Sequence, residues 1–193
     1  MPEFKFKIQL YMILLLFTGL SGSGKTTISQ NVRKRIIEFG YKVEVIDGDI
    51  YRNIFCKDLG FTKDDRIESI KRLFFIGKLL VRNEVVVILS IINPYAFLRT
   101  KLKKYDFVRE IYIYCPIEIL IQRDVKGLYR RALLKEGNPE RINYFSGVSD
   151  IYDVPTEPDL ILFSETESIK ESSDKLIDYI LKEIRSLTPL QGT

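Results

Sequence analysis

One eight-residue stretch constrains this chain more than any bulk property. Gly19-Leu20-Ser21-Gly22-Ser23-Gly24-Lys25-Thr26 fits the pattern G-x-x-x-x-G-K-[ST] in full. Its glycines let the backbone turn so that successive N–H groups face inward, with no Cβ to block an approaching anion. An apolar run, Ile13 to Phe17, precedes the loop, and a helix-periodic stretch carrying Ile28, Val32 and Ile36 follows it. A loop set between a buried strand and the positive end of a helix is a cradle for polyphosphate. Within it Lys25 reaches the terminal phosphates as a point charge, and Thr26 offers a hydroxyl to Mg²⁺.

The same alternation continues along the chain. Apolar runs at Tyr11–Phe17, Lys42–Ile46, Val85–Leu89, Glu110–Tyr114 and Leu160–Phe163 read as buried strands. Helical patterns lie between them: the first closed by Gly40 as a C-cap, a longer one over Asp64–Arg82, and a third with Pro116 in its first turn and Ile117, Leu120 and Ile121 along it. Ile169, Leu176, Ile180, Ile184 and Leu187 stripe the last. Strands alternating with helices predict an α/β fold, a five-stranded parallel sheet with helices on both faces. At 193 residues the chain fits one domain over 1–193. The stretch Glu136–Ser146, with Gly, Asn and Pro, is a candidate mobile lid whose outer bounds lie near 130–147. Lys5 and Lys7 ahead of Ile13–Phe17, with small residues from Gly19 to Gly24, imitate a secretory signal. Cleavage near Gly22 would destroy the phosphate loop, so the run reads as the first strand. It is too short to span a membrane.

Composition narrows the chemistry. The chain has no histidine, which removes His-based triads, the commonest zinc ligand and the usual general base. Any catalyst must therefore work with Lys, Asp, Arg and backbone groups. A net charge of +4 suits a small anionic ligand, while the lack of a dense Lys/Arg block speaks against a nucleic-acid partner. Cys56 and Cys115 form no CxxC or metal-ligand spacing, so a reduced, cytoplasmic setting is the default.

The second apolar run ends in Asp47-Gly48-Asp49. Ligands of open α/β sheets bind beyond the carboxyl ends of the strands, so these acids share a rim with the phosphate loop. One carboxylate could hold Mg²⁺ through water and the other accept a hydroxyl proton; an Asp-Gly turn needs neither role. With no histidine available, Asp49 is the favoured base. Arg52 and Arg66 are candidate guanidinium forks for an anionic substrate. Two short matches point elsewhere. Thr62-Lys63-Asp64-Asp65 has the form of a guanine-reading [NT]-K-x-D, and Asp124-Val125-Lys126-Gly127 that of a switch D-x-x-G. Their order is reversed from what a GTPase needs, and both read as coincidence.

Several blocks together resemble the adenylylsulfate kinases, P-loop kinases that phosphorylate the 3′-hydroxyl of adenylyl sulfate with MgATP. They are Phe17 to Thr27, Asp47-Gly48-Asp49 with Arg52, Leu59-Gly60-Phe61-Thr62 leading to Asp65-Arg66, Asn93-Pro94-Tyr95, Arg123 to Tyr129, and Phe145-Ser146-Gly147. The resemblance spans Phe17 to Leu162 and implies a P-loop kinase fold and a place in sulfate assimilation. It implies that Gly19 to Thr27 hold ATP, with Lys25 and Asp49 catalytic and Thr26 and Asp47 on Mg²⁺. The acceptor would meet Asp49, Arg52, Arg66, Ile92 and Asn93, with its adenine between Phe61 and Phe145 and Lys126 and Leu128 opposite. Small molecules are the expected partners, with no nucleic acid and no membrane; monomer or homodimer is left open. Three departures stand out: Asn93 where the pattern has the serine linked to a phosphoenzyme, Ser69 where D-R-x-E-N-I has an amide, and a lid from Ala132 to Phe145 a few residues longer. Ser69 and the lid motivate the alternative of a sister kinase with another nucleotide-like acceptor. A nucleotide-binding protein without transfer activity is a third reading.

Overall fold

A computed structural model describes residues 12–187. In β1 (Leu14–Thr18) every side chain is buried, which a strand achieves only when both faces of its sheet are covered. The chain continues through α1 (Lys25–Glu38), β2 (Lys42–Asp47), α2 (Gly48–Phe55), α3 (Lys63–Arg82), β3 (Val85–Ser90) and α4 (Ala96–Leu102). It ends through β4 (Val108–Tyr114), α5 (Ile117–Arg123), α6 (Leu128–Ala132), β5 (Leu160–Phe163) and α7 (Ile169–Leu187). The five strands are parallel in the order β2-β3-β1-β4-β5.

Side-chain alternation along β1 divides the core in two. Ile13, Leu15 and Phe17 pack with Ile28, Val32 and Ile36 of α1 and with Leu176, Ile180 and Ile184 of α7. Leu14 and Leu16 face the other way, onto Leu73 and Phe74 of α3 and Leu98 of α4. The close seat of α3 depends on Gly77, where a Cβ would stand 2.8 Å from Leu14 Cδ1 and 3.3 Å from Val87 Cγ1. The neighbours β1 and β3 send their chains in opposite directions, to the edge strand β2 and across to β4. A crevice opens beyond their carboxyl ends, as it does at such reversals in α/β sheets.

The segment that imitates a signal sequence forms this central strand; Tyr11, its expected first residue, lies outside the described residues. Gly40 follows α1 in the left-handed conformation expected past a helix end (φ 86°). β4 starts two residues before Glu110, and Pro116 takes the N-cap of α5 rather than its first turn. α2, α4 and α6 were not among the expected helices. They are short, and α2 leaves Ile50, Ile54 and Phe55 exposed, so no buried stripe betrays it. Ile169 of the α7 stripe is also exposed. The lid stretch contains turns and no helix or strand between Lys135 and Tyr144.

Candidate active site

Gly24 caps α1 in the left-handed conformation (φ 94°) without a side-chain hydrogen bond, leaving the first amides of the helix open to an anion. At Gly19 the loop passes so close to β4 that a Cβ would stand 2.6 Å from the Ile113 carbonyl oxygen. Lys25 is nine-tenths buried, and its Nζ donates to the carbonyls of Gly19 (2.9 Å) and Leu20 (2.8 Å). Burial lowers its pKa to about 8 against the opposing pull of Asp49 and Asp47, and Lys126 adds to the lowering. An ammonium held this way is short of negative charge, which a polyphosphate supplies.

Asp47 is no simple turn residue. Its Oδ2 accepts a 2.7 Å bond from the Thr26 hydroxyl, while Oδ1 accepts from the amides of Asp49 (3.0 Å) and Ile50 (3.4 Å), capping α2. The cap fixes Asp49 in the first turn of α2, exposed, where its Oδ2 accepts from Lys126 Nζ at 2.6 Å. A cleft of about 300 Å³ lies between these groups. Ser21, Gly22, Gly24, Lys25, Thr26, Thr27, Asp47, Asp49, Arg52, Phe61, Arg66, Ile92, Asn93 and Lys126 line it.

Phe61 is 61 % exposed, with the guanidinium carbons of Arg52 and Arg66 at 4.8 and 5.7 Å from its ring centre. Arg52 donates to the Gly60 carbonyl, and Arg66 to those of Phe61 (Nε, 3.0 Å) and Tyr144 (Nη2). Phe145 lies elsewhere. Its ring is 7 % exposed and sits edge-on to Tyr129 at 5.0 Å, in a cluster with Cys115, Leu120 and Ala132. It does not line the cleft, so the structure does not bring the two phenylalanines together as a pair of facing rings. Leu128 borders a smaller hollow with Ser21, Gly22 and Lys126. Gly19, Leu20 and Ser23 shape the loop from behind rather than lining the cleft.

Beyond β3, Asn93 is buried in a left-handed conformation (φ 45°), and neither side-chain amide atom finds a hydrogen-bond partner among the described residues. Its carbonyl is pinned by Thr18 Oγ1 (3.2 Å) and Arg99 Nη1 (2.9 Å). Arg99 is buried against Glu110 at 2.7 Å. Sequence reading missed these supports, and it missed Ser90, whose buried hydroxyl also lines the cleft unpaired. Unpaired buried polar atoms beside a cleft are what a bound ligand satisfies.

The GTPase-like fragments have structural explanations. Thr62 caps α3, accepting from the Asp65 amide while Asp65 accepts from the Thr62 amide: a capping box. Asp124 caps α6 through the amides of Tyr129 and Arg130, both at 2.9 Å.

Residues 11–163 match the family profile described as adenylylsulphate kinase. The chain belongs to the adenylylsulphate kinase family. An adenylyl-sulfate kinase of Halothermothrix orenii is 42 % identical over 170 residues, 87 % of this chain and 89 % of that one. One from Picosynechococcus sp. is 42 % identical over 179 residues, 92 % of this chain and 97 % of its own. A solved APS kinase of Mycobacterium tuberculosis, in complex with AMPPNP and APS, is 34 % identical with a TM-score of 0.81, covering 89 % of this chain and 98 % of that chain. Family membership agrees with the P-loop kinase fold. No helix among the described residues is long and apolar enough to cross a membrane.

Proposed function

We propose that the chain transfers the γ-phosphoryl group of ATP to the 3′-hydroxyl of adenylyl sulfate, giving 3′-phosphoadenylyl sulfate and ADP. The observation that carries this reading is the shared cleft. A polyphosphate cradle at one end meets an exposed aromatic ring and two guanidinium groups at the other, with Asp49 between them. An acceptor with an aromatic base and an anionic group fits that wall. Stacking on Phe61 would hold the base, and Arg52 and Arg66 would meet the charge.

Lys25 would leave the Gly19 and Leu20 carbonyls and turn its ammonium to the β- and γ-phosphates, with the amides at the start of α1 beside it. The hard oxygens of Thr26 and Asp47, hydrogen-bonded to each other at the same rim, suit Mg²⁺. When bound, the ion neutralises charge on the β- and γ-phosphates. Asp49 would take the proton of the attacking hydroxyl, and the 2.6 Å contact with Lys126 orients its carboxylate. Transfer of this kind depends mainly on positioning and charge neutralisation, so a chain without histidine is adequate to it.

Asn93 carries no hydroxyl, so no phosphoenzyme forms at that position, and the shared cleft suits direct transfer from ATP to acceptor. The test is a panel of acceptors with γ-labelled ATP and Mg²⁺: adenylyl sulfate, AMP, ADP and nucleosides bearing other anionic groups. Label transferred to adenylyl sulfate above all others supports the reading. Preference for another member overturns it in favour of the sister kinase that Ser69, buried in the cleft wall, would suit.

A further inference from the structure

Arg66 stands at a junction between the cleft and the lid. It rises from the first turn of α3, and its contacts reach 78 residues along the chain to the carbonyl of Tyr144. The guanidinium is largely buried, and burial is the main reason its pKa is lowered, with the charge of Arg52 lowering it further. Two backbone carbonyls occupy Nε and Nη2. Nη1 has no hydrogen-bond partner among the described residues, and this residue lines the cleft. Carbonyls orient a guanidinium but do not balance its charge. Among the described residues one carboxylate forms an ion pair with Arg66: Asp150, with its Oδ2 3.7 Å from Nε and both side chains about 15 % exposed.

Asp150 arrives there by a tight local fold. The amides of Val148, Ser149 and Asp150 all bond the Phe145 carbonyl, at 3.0, 3.0 and 3.1 Å, and the Gly147 amide returns to the Asp150 carbonyl at 2.9 Å. Gly147 lets this knot press on the phosphate loop, for a Cβ there would stand 2.7 Å from Leu20 Cδ2. The Asp150 Oδ2 atom and the Tyr95 hydroxyl are buried within reach of each other, and Asp150 Oδ1 accepts from the Ile151 amide at 2.9 Å. The Asp150 carboxylate is thus anchored locally through Oδ1, and its Oδ2 pairs with Arg66 by charge at 3.7 Å.

We propose that Asp150 is a positioning residue: it holds the Arg66 guanidinium against the cleft wall, with Nη1 free for the anionic group of the acceptor. A largely buried guanidinium that shares the Phe61 ring with a second one has reason to swing into solvent once the one carboxylate paired with it among the described residues is lost. The chain 145–150 therefore couples the seating of the lid to the acceptor end of the cleft. This rests on the acceptor reading above.

The test is steady-state kinetics in both substrates for Asp150→Asn, Asp150→Glu, Arg66→Ala and the double variant Asp150→Asn/Arg66→Ala, with a melting curve for each. Asp150→Asn should raise acceptor KM about tenfold and leave ATP KM within about twofold, and Asp150→Glu should recover part of the loss. In the Arg66→Ala background Asp150→Asn should add nothing further to acceptor KM. An unchanged or lowered acceptor KM in Asp150→Asn overturns the proposal, since removing a negative charge alone would favour an anion. So does a full additive loss in the double variant, or an equal rise in both KM values with a lowered melting temperature, which marks a structural role. Wild-type turnover of adenylyl sulfate checks the acceptor reading separately. Should another acceptor replace it, the same comparison is run on that acceptor.

Discussion

Replacing Lys25 with methionine should abolish transfer and yet make the empty protein slightly more stable. The ammonium is buried, and the fall of its pKa from 10.5 to about 8 is caused mainly by that burial. At about 1.4 kcal/mol for each pH unit, keeping the charge costs the folded state about 3 kcal/mol at neutral pH. Against this, the variant forfeits the bonds to the Gly19 and Leu20 carbonyls, about 1 kcal/mol each. The balance favours Lys25→Met by about 1 kcal/mol, or roughly 2–4 °C in melting temperature for a chain of this size. The pH dependence separates this from a simple packing gain. Between pH 8 and 10.5 the unfolded wild type binds a proton at Lys25 that the folded form has lost, so wild-type stability rises with pH across that window. The variant lacks this gain, and its advantage should vanish and reverse towards pH 10.5. Urea unfolding of both proteins at pH 7 and pH 9.5 measures the difference. A Lys25→Met protein less stable than wild type by more than about 1 kcal/mol at pH 7, or a difference that does not move with pH, would refute the reasoning.

Phe61→Leu should raise acceptor KM by roughly ten- to a hundredfold, with melting temperature and ATP KM little changed, because an exposed stacking surface worth about 1–3 kcal/mol is removed. Phe145→Leu should instead cost about 1–2 kcal/mol of stability by loosening its cluster with Tyr129, read as a lower melting temperature. Gly77→Ala should destabilise by about 1–3 kcal/mol by forcing Leu14 aside, with turnover of the folded fraction intact by active-site titration. Incubation with ATP alone should leave the peptide 91–95 unphosphorylated by mass spectrometry, since Asn93 has no hydroxyl to accept the group.

The parts of the molecule legible in sequence are those written in local patterns. The phosphate loop is one contiguous motif, and β1 to β5 are apolar runs that alternate with helical stripes; both came through with boundaries shifted by a few residues. Asp47 illustrates the limit. Its carboxylate was readable as a metal candidate, but its cap on α2 was hidden because α2 buries no apolar stripe. Arg66 illustrates it further. Its place beside the substrate was suggested by resemblance, whereas its contacts with Tyr144 and Asp150 join residues about eighty apart and leave no periodic trace. The buried pair Arg99–Glu110, which supports the Asn93 carbonyl, joins α4 to β4 across a turn and likewise leaves no periodic trace. Phe145 shows another limit: the resemblance implied a ring against the adenine, and the long-range packing that seats it in a small cluster with Cys115, Leu120 and Tyr129 is not written in its local sequence.

In the proposed reaction one cleft joins ATP to the 3′-hydroxyl of adenylyl sulfate. The most direct measurement is the structure of the product. Wild-type protein, Mg²⁺, equimolar ATP and adenylyl sulfate are incubated, and the nucleotides are separated and identified by mass spectrometry and phosphorus NMR. The account predicts ADP and adenylyl sulfate bearing a new phosphomonoester on its 3′-oxygen, with Asp49→Asn and Lys25→Met forming neither. ADP produced with adenylyl sulfate left unmodified, or a phosphate placed elsewhere on it, would contradict the account.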